Sequence, residues 1–214
     1  MNRYRTFRLS RAERSSALFM FVLFLISIVA NYSASIYATH SASNTVTDII
    51  LSNTPAFDVD GILVYGATAM ALFILFIIVI HPKRIVFALQ SLGLFFFTRA
   101  IFISLTHLRT FPTHTPVAFF NPIGAFLGRA LLYGDDLFFS GHTGIPFLMA
   151  LLFWPNKLLR YFFLACSVFF AIAVLLGHVH YTIDVASAFF ITYGVYKIAC
   201  YLFPRDYALF LLEE

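Results

Sequence analysis

The stretch ILVYGATAMALFILFIIVIHPKRIVFALQSLGLFFFTRAIFISLT, at residues 62–106, decides the fold of this chain. It holds two apolar runs, 62–80 and 84–106, with His-Pro-Lys-Arg at 81–84 between them. A helix needs about 20 apolar residues to cross a bilayer, and both runs have that length. Neither run alternates apolar with polar residues, which disfavours a membrane β-barrel. The stretch therefore predicts two transmembrane helices joined by a tight turn.

The composition extends this membrane character to the whole chain. Of 214 residues, 61% are hydrophobic and 11% are charged, and the mean hydropathy is +0.87. Soluble domains carry about 25% charged residues. We expect one integral membrane domain over 1–214, with a basic tail at 1–15. The net charge of +4 comes from residues scattered at the edges of apolar runs, so no nucleic acid partner is indicated. Cys166 and Cys200 lie inside apolar runs and are interpreted as small buried hydrophobes.

Six apolar runs qualify as membrane spans, and they predict an all-α bundle of six transmembrane helices. The runs are 16–38, 62–80, 84–106, 142–156, 159–177 and 182–203. An alternative for the first run is a signal peptide, because small residues follow its apolar core at 33–35. That alternative leaves five spans and moves none of the others.

The distribution of lysine and arginine predicts the orientation of the bundle. Cytoplasmic loops carry an excess of these residues. The face with the excess has Arg3, Arg5, Arg8, Arg11, Arg14, Lys83, Arg84, Lys157, Arg160, Lys197 and Arg205. The other face has Arg99, Arg109 and Arg129. We therefore expect both termini to be cytoplasmic.

Two stretches place titratable side chains at the ends of spans: DDLFFSGHT at 135–143 and GHVHYTIDV at 177–185. His180 and Asp184 are four residues apart, so they share a face of a helix. His142 begins the fourth run, and in the predicted orientation all three side chains lie on the non-cytoplasmic side. Ionisable residues in membrane segments are costly and by default indicate a functional site.

Two histidines and a carboxylate at a lipid–water boundary suit phosphoryl transfer, which needs no metal or other cofactor here. One imidazole can attack phosphorus while the carboxylate fixes its tautomer. The second imidazole can protonate the departing oxygen. Ser140 and Gly141, just before His142, favour a turn entering a helix, where exposed amides can hold phosphate oxygens.

Several alternatives remain open at this point. His142, His178, His180 and Asp184 could form a zinc site, or the histidines could merely satisfy buried hydrogen bonds. The loop at 107–140 contains Asn121-Pro122 and then an apolar stripe of helical period. It predicts either a short interfacial helix or a plain connector.

The two histidine stretches resemble signatures of the sphingomyelin synthase family. GDDLFFSGHT at 134–143 is similar to GDxLFSGHT, with one extra Phe, and HYTIDV at 180–185 is similar to HYTxDV. FTRAIFISLTHLRTFP at 97–112 resembles the arginine-containing third span of that family. The resemblance covers 97–196. It implies six transmembrane helices and His-His-Asp catalysis on the exoplasmic or lumenal side, as in the wider type-2 phosphatidate phosphatase superfamily.

The resemblance also implies a role for each residue. His180 would be the nucleophile that forms a phosphohistidine, Asp184 would orient it, and His142 would act as acid and then base. Asp136 would match the signature aspartate. The implied supports of the phosphate are Ser140, Gly141 and Arg99. Apart from the resemblance, Arg109, Arg129 and His178 are secondary candidates for contact with an oxyanion.

One departure from the superfamily favours a particular reaction. Phosphatases of this superfamily usually carry an arginine six residues before the nucleophilic histidine, and here that residue is Val174. A phosphodiester presents about one negative charge and a monoester nearly two. We therefore expect a head-group transferase that takes a phospho-head group from a glycerophospholipid to ceramide or diacylglycerol. Its site would face outward from a bacterial inner membrane, or from a Golgi or plasma membrane. A lipid phosphatase or phospholipase-C-like hydrolase is the second interpretation, and a non-enzymatic lipid carrier or assembly subunit is the third.

Overall fold

A computed structural model describes residues 11–81, 84–114 and 137–211. Seven α-helices occur in these ranges: α1 (Arg11–Ser41), α2 (Asp60–Ile80), α3 (Ile85–Leu105), α4 (Gly141–Leu152), α5 (Lys157–Leu176), α6 (Thr182–Leu202) and α7 (Pro204–Leu211). A 3-10 turn at Leu51–Asn53 and an isolated bridge between Asn44 and Leu108 are the other regular features there. The all-helical class predicted from the sequence is confirmed for these ranges.

Five of the helices are long and apolar enough to cross a membrane: α1 from Ala17 onward, α2, α3, α5 and α6. The predicted runs 62–80, 84–106, 159–177 and 182–203 agree with helix bounds to within two residues. Helix α1 starts five residues before the predicted 16 and ends three residues after 38. The chain is thus a multi-pass helical bundle of membrane type. The count of six spans and the side of each terminus stay predictions.

The fourth helix differs from its prediction. We expected a run at 142–156, whereas α4 has 12 residues and ends at Leu152. Its length is about 18 Å, against about 30 Å for a hydrocarbon core. Pro155 disfavours helical backbone at Trp154, and the chain turns there, with the amide of Asn156 donating to the carbonyl of Phe153 at 3.1 Å.

Helix α7 was not predicted, because eight residues are too few for a search for apolar runs. It packs across the end of the bundle. Gln90 on α3 donates to Asp206 on α7 at 2.7 Å, and Phe210 is buried with its ring 5.6 Å from that of Phe87. Helix α7 therefore covers the end of the bundle at which α3 begins and α6 ends.

Packing between the helices brings the ends of three of them together at one end of the bundle. Helix α1 lies along α3, with an edge-to-face contact between Phe24 and Phe96 at 6.0 Å. Helix α4 lies against α5 and α6, and Ser167 on α5 donates to the carbonyl of Thr143 at 2.8 Å. The end of α3 and the beginnings of α4 and α6 consequently meet at the end opposite α7.

Candidate active site

A histidine–carboxylate pair lies at the start of α6, with His180 two residues before the helix and Asp184 in its first turn. Nδ1 of His180 lies 3.4 Å from Oδ2 of Asp184, and both side chains are buried. The same carboxylate oxygen accepts the amide of Tyr181 at 3.0 Å. Tyr181 is the N-cap residue just before the helix, so the carboxylate three residues later reaches back to an amide that has no helical partner. The helix start itself aims Asp184 at Nδ1 of His180 and leaves Nε2 on the far side of the ring.

The first turn of α4 is joined to that pair. The amide of Ser140 donates to the carbonyl of Asp184 at 3.1 Å, and the first helical bond of α4 follows from Gly144 to Ser140 at 2.9 Å. His142 therefore lies in the first turn of α4, close enough to His180 and Arg99 for both to act on it electrostatically. The three residues implied as catalytic are thus brought to one place by two neighbouring helix starts.

Arg99 is buried beside this first turn. Its Nε donates to the carbonyl of Phe139 at 3.3 Å, and Nη1 donates to Oδ1 of Asn31 at 3.1 Å. A Cβ atom added to Gly141 would lie 3.6 Å from the same Nε. The guanidinium therefore reaches inward, beside the residues implied to support the phosphate, and does not extend to the membrane surface.

Asn31 was missed by the sequence analysis. It is almost fully buried on α1, in a row with the buried Ser27 and Ser35. The spacing of four residues between these polar side chains is the signal that could have marked the face of α1 that packs inward. Because Asn31 accepts a hydrogen bond from Arg99, α1 contributes to the site in this structure.

Several buried polar atoms of this region have no hydrogen-bond partner in the described ranges. They are Oγ of Ser140, Nε2 of His142, Oγ1 of Thr143 and Oδ1 of Asp184. Buried polar groups are normally paired, and an unpaired one calls for an explanation such as a bound ligand or water. Their concentration at two helix starts indicates a site for a polar ligand. The first amides of α4 add the donor groups that favour an anion.

The extra Phe of the signature occupies a strained turn. Phe138 and Phe139 have φ angles of 102° and 35°, and such residues cost of order 1–3 kcal/mol each. The ring of Phe139 is fully buried, 5.3 Å from that of Phe95. The turn thereby places the Phe139 carbonyl against Nε of Arg99.

The loop at 42–59 closes over the start of α6 through Asp48. The carboxylate accepts the amide of Thr182 through Oδ2 and its hydroxyl through Oδ1, both at 2.7 Å. Oδ1 also accepts the amides of Ile50 at 2.9 Å and Leu51 at 3.1 Å. Burial acts to raise the pKa of Asp48, but these bonds outweigh it and the pKa is lowered. The prediction from sequence missed Asp48. The signal that could have identified it is an acidic residue in a loop that contains no lysine or arginine.

The side chain of His178 bonds to the loops over the start of α6 rather than to the catalytic cluster formed by His142, His180, Asp184 and Arg99. Its Nδ1 lies 2.6 Å from the hydroxyl of Thr113 and its Nε2 lies 3.4 Å from that of Thr54. Burial lowers its pKa. Arg109 contributes to these loop contacts through its backbone, because its carbonyl accepts a hydrogen bond from the hydroxyl of Tyr181 at 2.9 Å. Within 11–81, 84–114 and 137–211 no three His, Cys, Asp or Glu side chains are placed so that they could hold one metal ion, so the arrangement gives the zinc alternative no support.

Four of the predictions fall wholly or largely outside the part of the chain that the structure describes. They concern the basic tail at 1–15, Asp136, Arg129 and the interfacial helix that begins at Asn121-Pro122. The two cysteines, Cys166 and Cys200, are described, and both are half-buried free thiols. They lie on α5 and α6.

Residues 134–201 match the family model described as PAP2 superfamily C-terminal. No curated protein and no solved structure matches the chain. The matched segment includes both histidine stretches and the two helix starts that form the cluster. It supports the superfamily expected from the resemblance, whose chemistry is that of phosphatases and phosphotransferases. It does not distinguish the sphingomyelin synthase family within it.

Proposed function

We propose that this protein is a phospholipid head-group transferase. It takes a phospho-head group from a glycerophospholipid and passes it to a lipid alcohol, ceramide or diacylglycerol, through a phosphohistidine. The pair formed by His180 and Asp184, joined to the start of α4, is the observation that carries the proposal.

The chemistry divides into two displacements at phosphorus. Nε2 of His180 attacks the phosphodiester, a P–N bond forms, and the bond from phosphorus to the diacylglycerol oxygen breaks. His142 gives its proton to that oxygen. The acceptor hydroxyl then loses its proton to His142 and attacks phosphorus, and the P–N bond breaks. Asp184 holds the tautomer of His180 and stabilises its positive charge.

The charge of the site supports a phosphodiester as the donor. At the position where related phosphatases carry arginine, Val174 is fully buried, and its carbonyl accepts the amide of Val179 at 2.9 Å. Among the described arginines, Arg99 lies beside the cluster, whereas the buried Arg84 stacks on Phe153 and Phe210 near α7. With valine in place of that arginine the site has one cation fewer, which suits the single charge of a diester better than the nearly two charges of a monoester.

A transfer assay on purified protein tests the proposal. Fluorescent ceramide and fluorescent diacylglycerol are offered with phosphatidylcholine or phosphatidylethanolamine, and His180→Ala is the control. A new fluorescent phospholipid, absent with the variant, is the expected result. Asp184→Asn should retain the fold and slow transfer strongly, by up to about 10⁴-fold as in other His–Asp pairs. Turnover by His180→Ala at the rate of the unaltered protein would refute the phosphohistidine.

The matched segment favours a second candidate, a hydrolase with water as acceptor, because the superfamily includes phosphatases. The same assay separates the two. Release of phosphate from phosphatidate, unaffected by added lipid alcohol, would select the hydrolase and reject the transferase.

A further inference from the structure

The opposite end of the bundle contains a cavity that the proposed chemistry does not use. Its volume is about 320 Å³, at the lower limit of small-molecule sites, which range over about 300–1,000 Å³. Residues from the end of α4, from α6 and from α7 line it, among them Leu152, Trp154, Tyr196, Lys197 and Tyr207. Lys197 is 13 residues after Asp184 on α6, so the cavity lies about 20 Å along that helix from the catalytic cluster.

The polar groups of the cavity are cationic and hydroxylic. The ammonium of Lys197 lies over the rings of Tyr193 and Tyr196, 5.4 and 5.8 Å from their centroids. The hydroxyls of Tyr196 and Tyr207 lie 3.1 Å apart. Among the described residues, none that lines the cavity is a carboxylate, and none forms an ion pair with Lys197. These groups suit an anion that also accepts hydrogen bonds.

A second cation lies at the edge. The guanidinium of Arg160 stacks on the ring of Trp154 at 4.9 Å and donates to the Trp154 carbonyl at 3.2 Å. Tryptophan and tyrosine are enriched at the headgroup level of membranes. The rings and cations therefore place this cavity at the depth where a lipid headgroup lies.

The apolar surroundings favour a lipid over a soluble anion. Leu151 and Leu152 form part of the cavity wall, and Tyr201, four residues after Lys197 on the same face of α6, is exposed. An acyl chain can lie along this face while the headgroup enters the cavity. Basic pockets between transmembrane helices bind anionic headgroups in this way.

We infer that the cavity between α4, α6 and α7 binds the headgroup of an anionic glycerophospholipid, with Lys197 on its phosphate. The site is separate from the catalytic cluster and does not depend on the proposed reaction. On the charge pattern of the sequence this end faces the cytoplasm, where membrane surfaces are negative.

Trp154 is the single tryptophan of the chain and provides a direct readout. The intact protein in detergent micelles is titrated with phosphatidylglycerol brominated near the carboxyl end of one acyl chain, and separately with phosphatidylcholine brominated in the same way. Bromine quenches tryptophan on contact. We expect saturable quenching by phosphatidylglycerol at lower mole fraction than by phosphatidylcholine.

Two exposed lysines form a matched pair of variants. Lys197→Gln should raise the half-saturating fraction of phosphatidylglycerol about fivefold, the effect of one cation near a membrane surface. Lys157→Gln removes the same charge at the same end but outside the cavity, and should leave the titration unchanged. Equal quenching by both lipids, or equal effects of both variants, would overturn the inference. Reversal of the quenching by inorganic phosphate would overturn it too, because the occupant would then be a soluble anion.

Discussion

Asp48→Asn tests whether the loop over the site positions the catalytic pair. The carboxylate bonds the amide and the hydroxyl of Thr182, which lies between His180 and Asp184 at the start of α6. Asparagine retains the shape and one acceptor oxygen. Its NH₂ group replaces the other oxygen and faces the amide N–H of Thr182, so two hydrogen-bond donors oppose each other there.

The cost follows from these contacts. A hydrogen bond to a charged group contributes about 1.5–3 kcal/mol, and an anion at a helix N-terminus adds about 0.3–1 kcal/mol. The variant should therefore lose about 2–4 kcal/mol of unfolding free energy, or roughly 4–16 °C in Tm for a chain of this size. Transfer should slow by about tenfold to hundredfold, because small misplacements of catalytic groups cost about that much.

The assay is thermal unfolding in detergent together with the rate of head-group transfer. Asp58→Asn is the matched control, since Asp58 is in the same loop, is exposed and bonds the amide of Asp60 at 3.1 Å. A double variant with Thr182→Val should lose less than the sum of the single losses, because the two residues share a contact. If Asp48→Asn and Asp58→Asn behave alike, the loop does not hold the start of α6.

Four further changes have expected outcomes. The pKa of Asp48 is lowered by folding, so its contribution to stability is present above the unfolded pKa, near 3.8, and is lost as the pH falls through the folded value. Acid unfolding should show this loss below about pH 4, and Asp48→Asn should lack it. Gly144→Ala should lower Tm, because its Cβ would lie 2.7 Å from the buried ring of Phe95. Overpacking costs about 1–3 kcal/mol against a helix gain of about 1 kcal/mol. Gly194→Ala, whose Cβ meets nothing within 4 Å, should raise Tm, and the opposite order would refute this account. Arg99→Lys keeps the charge but not the planar fork, and transfer should fall about tenfold or more, as expected for one lost charged hydrogen bond. An unchanged rate would remove the guanidinium from the site.

The sequence alone determined the helices and the local part of the site. A bilayer requires each span to satisfy its own backbone hydrogen bonds, so apolar runs predict α2, α3, α5 and α6 closely. His180 lies two residues before α6 and Asp184 lies in its first turn, so the two residues are not both helical as the sequence predicted, but their spacing of four residues was enough to pair them. The prediction from sequence made α4 too long and omitted α7. Both helices are shorter than the thickness of a bilayer, and their bounds depend on a turn or on packing.

Only the tertiary structure decided the contacts between distant parts of the chain. Arg99 meets Asn31 across 68 residues, and Asp48 meets Thr182 across 134. The cavity at Lys197 likewise takes its walls from three helices. The physical reason is that the period of a helix fixes which residues share a face, but the face that packs against a neighbour depends on side-chain shape and pairing across the interface.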